Sequence, residues 1–139
     1  MQIIIIYIPF IDGVEVFIPV ETLLSANDNY KILPNEEFDY DDGSILFEYG
    51  EGDIVACTTH TFENGSNGLM ASQLVTSGSI KNDYKRMLIF ILKNMPSISD
   101  LLKLYNSEVI LQLLHDNELV YPSLNSWLNN HRTELKLLS

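Results

Sequence analysis

Cysteine is almost missing from this 139-residue chain, and the single Cys57 excludes an internal disulfide. Long apolar runs are missing too. Ile3 to Ile8 falls far short of the roughly 20 residues a membrane helix needs, and Pro9 and Asp12 close it, so it reads as a buried strand. The opening MQIIIIYIPFID has neither the basic n-region nor the small-residue cleavage site of a signal peptide, which sets a cytoplasmic location as the expectation. No phosphate-binding glycine loop, HExxH, CxxC or GxSxG occurs, so no reaction is named by a motif. The sequence-based expectation is therefore a protein that is not an enzyme, with no cofactor and no metal.

The most informative scarcity is positive charge in one half. Met1 to Gly78 holds thirteen carboxylates against one basic residue, Lys31, for a net −12, whereas Ser79 to Ser139 holds seven basic and six acidic residues, for +1. Glu36, Glu37, Asp39, Asp41, Asp42, Glu48, Glu51 and Asp53 follow one another with no Lys or Arg between them, an arrangement that concentrates a negative field. Apolar residues make up 46% of the chain, too many for charge-driven disorder, so the acid is displayed on a folded body. Such a surface repels phosphate backbones and anionic lipid alike, which argues against direct binding of nucleic acid or membrane.

The length suits a single domain, 1–139, whose pattern changes character once. Up to Gly78 the segments are short, β-branched and aromatic, predicting strands near Gln2 to Pro9, Val14 to Val20, Tyr30 to Leu33, Ser44 to Tyr49, Asp53 to Phe62 and Leu69 to Thr76. All seven glycines lie in this half; Asp12-Gly13, Asp42-Gly43 and Asn64-Gly65-Ser66-Asn67-Gly68 are turn signals that join antiparallel neighbours. From Ser79 the apolar spacing becomes helical. Ser79 is an N-cap for a helix with Ile80, Tyr84, Met87, Leu88 and Ile91 on one face, ended by Asn94 and Pro96. Ser97 with Asp100 repeats the cap signature; Asn106-Ser107-Glu108 then either breaks the next helix or passes as its polar face. Pro122 opens a last helix with Leu124, Trp127, Leu128, Leu135 and Leu138 on one stripe. The expected class is α+β: an N-terminal antiparallel β meander or small SH3-like barrel, then three to four helices that cover the sheet or pack beside it.

Few residues point to chemistry. Asp39, Asp41 and Asp42 ahead of Gly43 suggest a calcium loop, but the register fails. Counting Asp39 as first puts Gly43 fifth and Gly50 twelfth, and counting Gly43 as sixth puts Phe38 first and Tyr40 third. Cys57 and His60 are three apart on a predicted strand, which sends them to opposite faces and leaves Cys57 as a buried apolar residue. His115 and His131 fall on different helical segments with nothing to fix either as base or ligand. The aromatics Phe38, Tyr40, Phe47 and Tyr49 are interleaved with the acid, which is the composition of a protein-binding patch, although Phe38 and Phe47 read equally well as core anchors. Ile45, Phe47 and Tyr49 point one way along their strand, Leu46 and Glu48 the other.

The segments Ile18-Pro19-Val20, Tyr30 to Leu33, Phe47 to Cys57 with its Gly52-Asp53-Ile54-Val55 turn, and Leu69-Met70-Ala71 resemble the small barrels of many bacterial proteins. By size, charge and lack of catalytic residues, the whole chain resembles the small acidic immunity proteins that protect bacteria from toxins, including those of contact-dependent growth inhibition. That resemblance carries no residue assignments. It implies a non-catalytic inhibitor, a monomer that binds a basic toxin domain, such as a nuclease, in a 1:1 complex. On this reading Glu36, Glu37, Asp39, Asp41 and Asp42 form the contact, Tyr40 anchors it, and Glu48, Glu51 and Asp53 flank it. Two rivals stand beside it: an adaptor or regulatory module docking through the helical half and Trp127, and a small enzyme using carboxylates or His60 in a pocket between barrel and helices.

Overall fold

The computed structural model describes residues 2–12, 14–35, 46–116 and 122–139. The chain is α+β, with six mostly antiparallel strands followed by four helices among the described residues. The strands are β1 (Ile3–Asp12), β2 (Val14–Leu24), β3 (Tyr30–Ile32), β4 (Leu46–Phe47), β5 (Ile54–Thr61) and β6 (Asn67–Thr76). β1 and β2 pair along their whole length, from Ile3 opposite Leu23 to Asp12 opposite Val14. β2 then pairs with β3, β3 with β5 and β5 with β6, all antiparallel, and β6 returns to β1 in parallel at Tyr7 and Met70. These pairings join β1, β2, β3, β5 and β6 into a closed ring, which removes the exposed edges that an open meander would leave.

β4 is the departure from the meander. Of the expected strand Ser44 to Tyr49, Ser44 and Ile45 lie outside the described residues, and the described strand covers Leu46 and Phe47. It pairs with β1, Phe10 opposite Phe47 and Ile11 opposite Leu46, instead of lying between β3 and β5. The long connection after β3 makes this inexpensive, because loop-closure entropy grows only slowly with length. Successive residues of a strand face opposite ways, and here the two faces meet different cores: Phe47 joins Ile6, Ile8, Val20, Ile32 and Val55 inside the barrel, while Leu46 joins the helical core. Phe47 and Phe10 stack with ring centroids 5.4 Å apart. The run at the start of β1 is buried on one face only: Ile6 and Ile8 are fully inside, whereas Ile3 and Ile5 are about half exposed. Inside the barrel Thr22 is accommodated because its hydroxyl donates to the Ile4 carbonyl at 2.8 Å.

α1 (Ile80–Asn94) starts at Ser79, whose hydroxyl accepts the Asn82 N–H at 3.1 Å, and stops where Met95 turns left-handed ahead of Pro96. Ile80, placed on the apolar face by its spacing, is exposed in the first turn. α2 (Ile98–Leu104) is capped by Ser97 as expected. The segment after it resolves into a separate short helix, α3 (Ser107–Leu111), because Tyr105 and Asn106 adopt extended backbone and the Asn106 side chain accepts the Val109 N–H at 3.0 Å. α4 (Pro122–Leu138) buries Leu124, Trp127, Leu128 and Leu135 against α1, α2 and α3. The Trp127 indole N–H donates to the Pro96 carbonyl at 2.7 Å, pinning α4 to the link between α1 and α2.

Candidate binding surface

Of the nine acidic and aromatic residues expected to form the contact, Glu36, Glu37, Asp39, Tyr40, Asp41 and Asp42 lie outside the described residues, as does Phe38. What is described is how that stretch is held at its two ends. Ile32 is buried in the barrel and its N–H donates to the Asp53 carbonyl at 2.9 Å; Leu46 is buried in the helical core. The acidic stretch thus leaves from one core and returns to the other. Glu51 is exposed, and Glu48 is half-buried.

Asp53 corrects the sequence reading. It is fully buried and displays no charge to a partner. One carboxylate oxygen accepts the Gly78 N–H at 2.6 Å and the Asn82 amide at 3.0 Å. The other accepts the Gly50 N–H at 2.8 Å and the Arg86 guanidinium at 2.5 Å. Arg86, on α1, also donates to Asp83 at 2.8 Å, to the Ser77 hydroxyl at 2.9 Å and to the Glu48 carbonyl at 3.2 Å. Burial alone would pull the guanidinium pKa down, yet the hydrogen bonds to Asp53 and Asp83 outweigh it and raise the pKa. A buried charge persists only when paired and hydrogen-bonded, and this pair clasps the β4–β5 turn to the first two turns of α1. Gly78 is required for the approach: a Cβ there would sit 2.4 Å from the Gly52 carbonyl carbon. Arg86 was missed because its partner lies 33 residues away, with no local pattern linking the two.

Buried Tyr49 and half-buried Tyr84, around the junction, have their hydroxyls pushed above the ordinary range. Burial, then the charge of Glu48, pushes the Tyr49 hydroxyl up to about 12. Tyr84 is raised further by burial and by its 2.6 Å hydrogen bond to Asp116. A cleft of about 310 Å³ between barrel and helices is lined by Leu74, Asp83, Arg86, Leu104, Tyr105 and Asn106. His60 is elsewhere. Cys57 packs on the barrel core, where burial pushes its thiol up to about 11, and His60 points to the outer face, as the odd separation predicts. The register shifts of this strand pair fall before Cys57, not between it and His60. Among the described residues no three His, Cys, Asp or Glu side chains come together in a way that would hold a metal ion.

No protein-family model, no curated protein and no solved structure matches the chain. The functional reading therefore rests on its own residues.

The outer face of the barrel carries a feature that strand alternation alone did not single out. Tyr7 on β1, Phe17 on β2, His60 on β5 and Phe62 just after β5 gather there: Tyr7 and Phe62 at 4.7 Å between centroids, Phe62 and His60 at 4.9 Å, His60 and Phe17 at 5.9 Å. Gly68, opposite His60 on β6, makes room, because a Cβ there would press on both the Phe62 and the Tyr7 rings at about 3 Å. The signal was present in the sequence: Tyr7 and Phe17 stand out of phase with the inward Ile6, Ile8, Val20 and Ile18, so both had to face outward.

Proposed function

We propose that this protein is a non-catalytic acidic inhibitor, of the immunity-protein kind, that binds the basic substrate face of a toxin domain acting on nucleic acid. The observation that carries the reading is the uneven charge. The first 78 residues hold thirteen carboxylates and one lysine. One of those carboxylates, Asp53, is engaged in an internal ion pair with Arg86 of the other half, and Lys31 is the one basic residue that half has to set against the rest. A protein that binds nucleic acid must display Lys and Arg, and a complementary acidic surface both steers encounter and competes with the phosphate backbone. Glu36, Glu37, Asp39, Asp41 and Asp42 supply the contact, Tyr40 an anchor, and Glu48 and Glu51 flanking charge.

The test begins at the neighbouring reading frame. A large secreted protein with a variable C-terminal domain is expected there, and that domain is the binding partner to assay. Replacing the five carboxylates of 36–42 by their amides should slow association about tenfold or more at low salt and flatten its dependence on ionic strength. Unchanged association kinetics would remove this patch from the interface.

The adaptor reading loses one of its supports, since Trp127 is 4% exposed and already hydrogen-bonded. It retains Leu102, Leu104 and Leu137, which are exposed on the helices. Self-association through them would survive high salt in light scattering; the inhibitor reading expects a monomer.

A further inference from the structure

We infer that the aromatic groove on the outer face of the barrel is a second recognition site, one that takes the guanidinium of an arginine side chain presented by a partner protein. The groove has a volume of about 830 Å³, open to solvent, and Tyr7, Phe17, His60, Phe62 and Glu63 are among the residues that line it. That is room for an arginine and the residues flanking it.

Its walls are not one flat surface. The Tyr7 and Phe62 rings are inclined by 57° and the Phe62 and His60 rings by 70°, so ring faces and edges are offered at several angles around one hollow. Phe17, 42% exposed, closes the β2 side. Aromatic faces attract cations through the ring quadrupole, and arginine more than lysine, because the guanidinium is planar, stacks on rings and is more weakly hydrated than an ammonium.

The charge around the groove selects the same occupant. Among the described residues the lining holds one carboxylate, Glu63, and no Lys or Arg. Glu63 is not on a loose tail: it opens a turn in which the Phe62 N–H donates to the Ser66 carbonyl, the Gly65 N–H donates back to the Phe62 carbonyl, and the Asn64 side chain accepts from Ser66, each at 2.6–2.9 Å. The Thr61 hydroxyl donates to the Asn67 side chain at 2.7 Å and fastens the base of that turn. Phe62 and Glu63 are therefore delivered together, a ring beside a carboxylate that accepts two guanidinium N–H groups. The groove is argued from residues on β1, β2, β5 and the turn that follows it, and from none of the 36–42 residues, so either assignment stands without the other.

The experiment is an NMR titration of the full-length protein with Nα-acetyl-arginine amide, with Nα-acetyl-citrulline amide and Nα-acetyl-lysine amide as matched probes. Citrulline keeps the shape and loses the charge; lysine keeps the charge and loses the plane. The arginine probe should shift the side-chain resonances of Phe17, His60 and Phe62, and bind about 2- to 5-fold more tightly than citrulline. Glu63→Gln, on an exposed turn where folding is not at stake, should weaken arginine binding and leave citrulline binding unchanged. Equal binding of arginine and citrulline, or tighter binding of lysine, would overturn the assignment. Shifts confined to residues 36–42 would overturn it as well, while leaving the acidic inhibitor intact.

Discussion

The two halves of this protein solve the same problem, burying an apolar core, with opposite electrostatics. The barrel half seals its core by closing a ring of strands and carries a net −12, the whole of the chain's excess negative charge. The helical half is close to neutral and builds its core from four helices, with Trp127 at the junction of three of them. They are joined by β4, which gives one side chain to each core, and by Asp53 and Arg86, one charge from each half. Among the described residues folding uses little of that acidity, since Glu21, Asp28, Glu51 and Glu63 are all exposed. Among the described carboxylates of the acidic stretch, Asp53 is the fully buried one, and it is used structurally.

Removing the ion pair shared by the two halves should have the largest effect. Arg86→Ala leaves the Asp53 carboxylate buried with its backbone partners and Asn82 but without a counter-charge, and should cost about 3–5 kcal/mol. Urea denaturation measures it. Because a small domain has about 5–15 kcal/mol in total, the variant stands near the edge of folding. The double variant Asp53→Asn with Arg86→Met, in which no charge is stranded, should recover part of the loss. A full additive loss would mean that the pair is not coupled.

The two sides of β4 offer a sharper probe. Leu46→Ala should cost about 2–5 kcal/mol and Phe47→Ala about 3–5 kcal/mol, the usual range for truncating a buried aliphatic or aromatic side chain. Hydrogen exchange should separate them: accelerated exchange centred on α1, α3 and α4 for Leu46→Ala, and on β1 and β5 for Phe47→Ala. Uniform acceleration in both variants would show that barrel and helices unfold as one cooperative unit.

The smallest effect is expected in alkali. Cys57 and Tyr49 in the barrel, and Tyr84 and Tyr105 in the helical half, are all held protonated in the folded state beyond their ordinary range, with burial as the leading cause. The native protein then binds more protons than the unfolded chain, and stability must fall as pH rises. It should be undiminished by these groups below about pH 8.5, where the free thiol begins to ionise, and decline as the unfolded tyrosines ionise near pH 10. Thermal melts from pH 8 to 11, with tyrosinate absorbance followed alongside, give the slope; Tyr84→Phe should flatten it. Stability that rises with pH across this interval would contradict the assignment of buried neutral hydroxyls.

Much of the fold was legible from residue order because the forces that set it are local. Alternation at Ile6, Ile8, Val20 and Val55, the turn signals between β1 and β2 and between β5 and β6, and the caps at Ser79 and Ser97 act within a few residues, and those elements appear near their expected places. Asp42-Gly43 lies outside the described residues, and the strand after it pairs with β1 instead of β3. The choice at Asn106 stayed open because a polar triplet suits a helix face and a cap alike; the capping bond to Val109 decided it. The site was less legible. Asp53 looked like Asp41 or Asp42, one acid among several, since the sequence carries no mark of which carboxylate will meet a guanidinium 33 residues on.

By itself, then, the sequence determined the class of each element, the division into a β half and an α half, and the uneven charge, because these depend on spacing and composition. Tertiary structure alone decided that β6 closes on β1 across more than sixty residues of chain, that β4 leaves the meander to serve two cores, that Asp53 is inside and that the rings of Tyr7 and Phe62 meet over Gly68. Each of those is a contact between segments distant in the chain. Its strength depends on burial and on the partner it finds, and neither quantity exists until the barrel has closed.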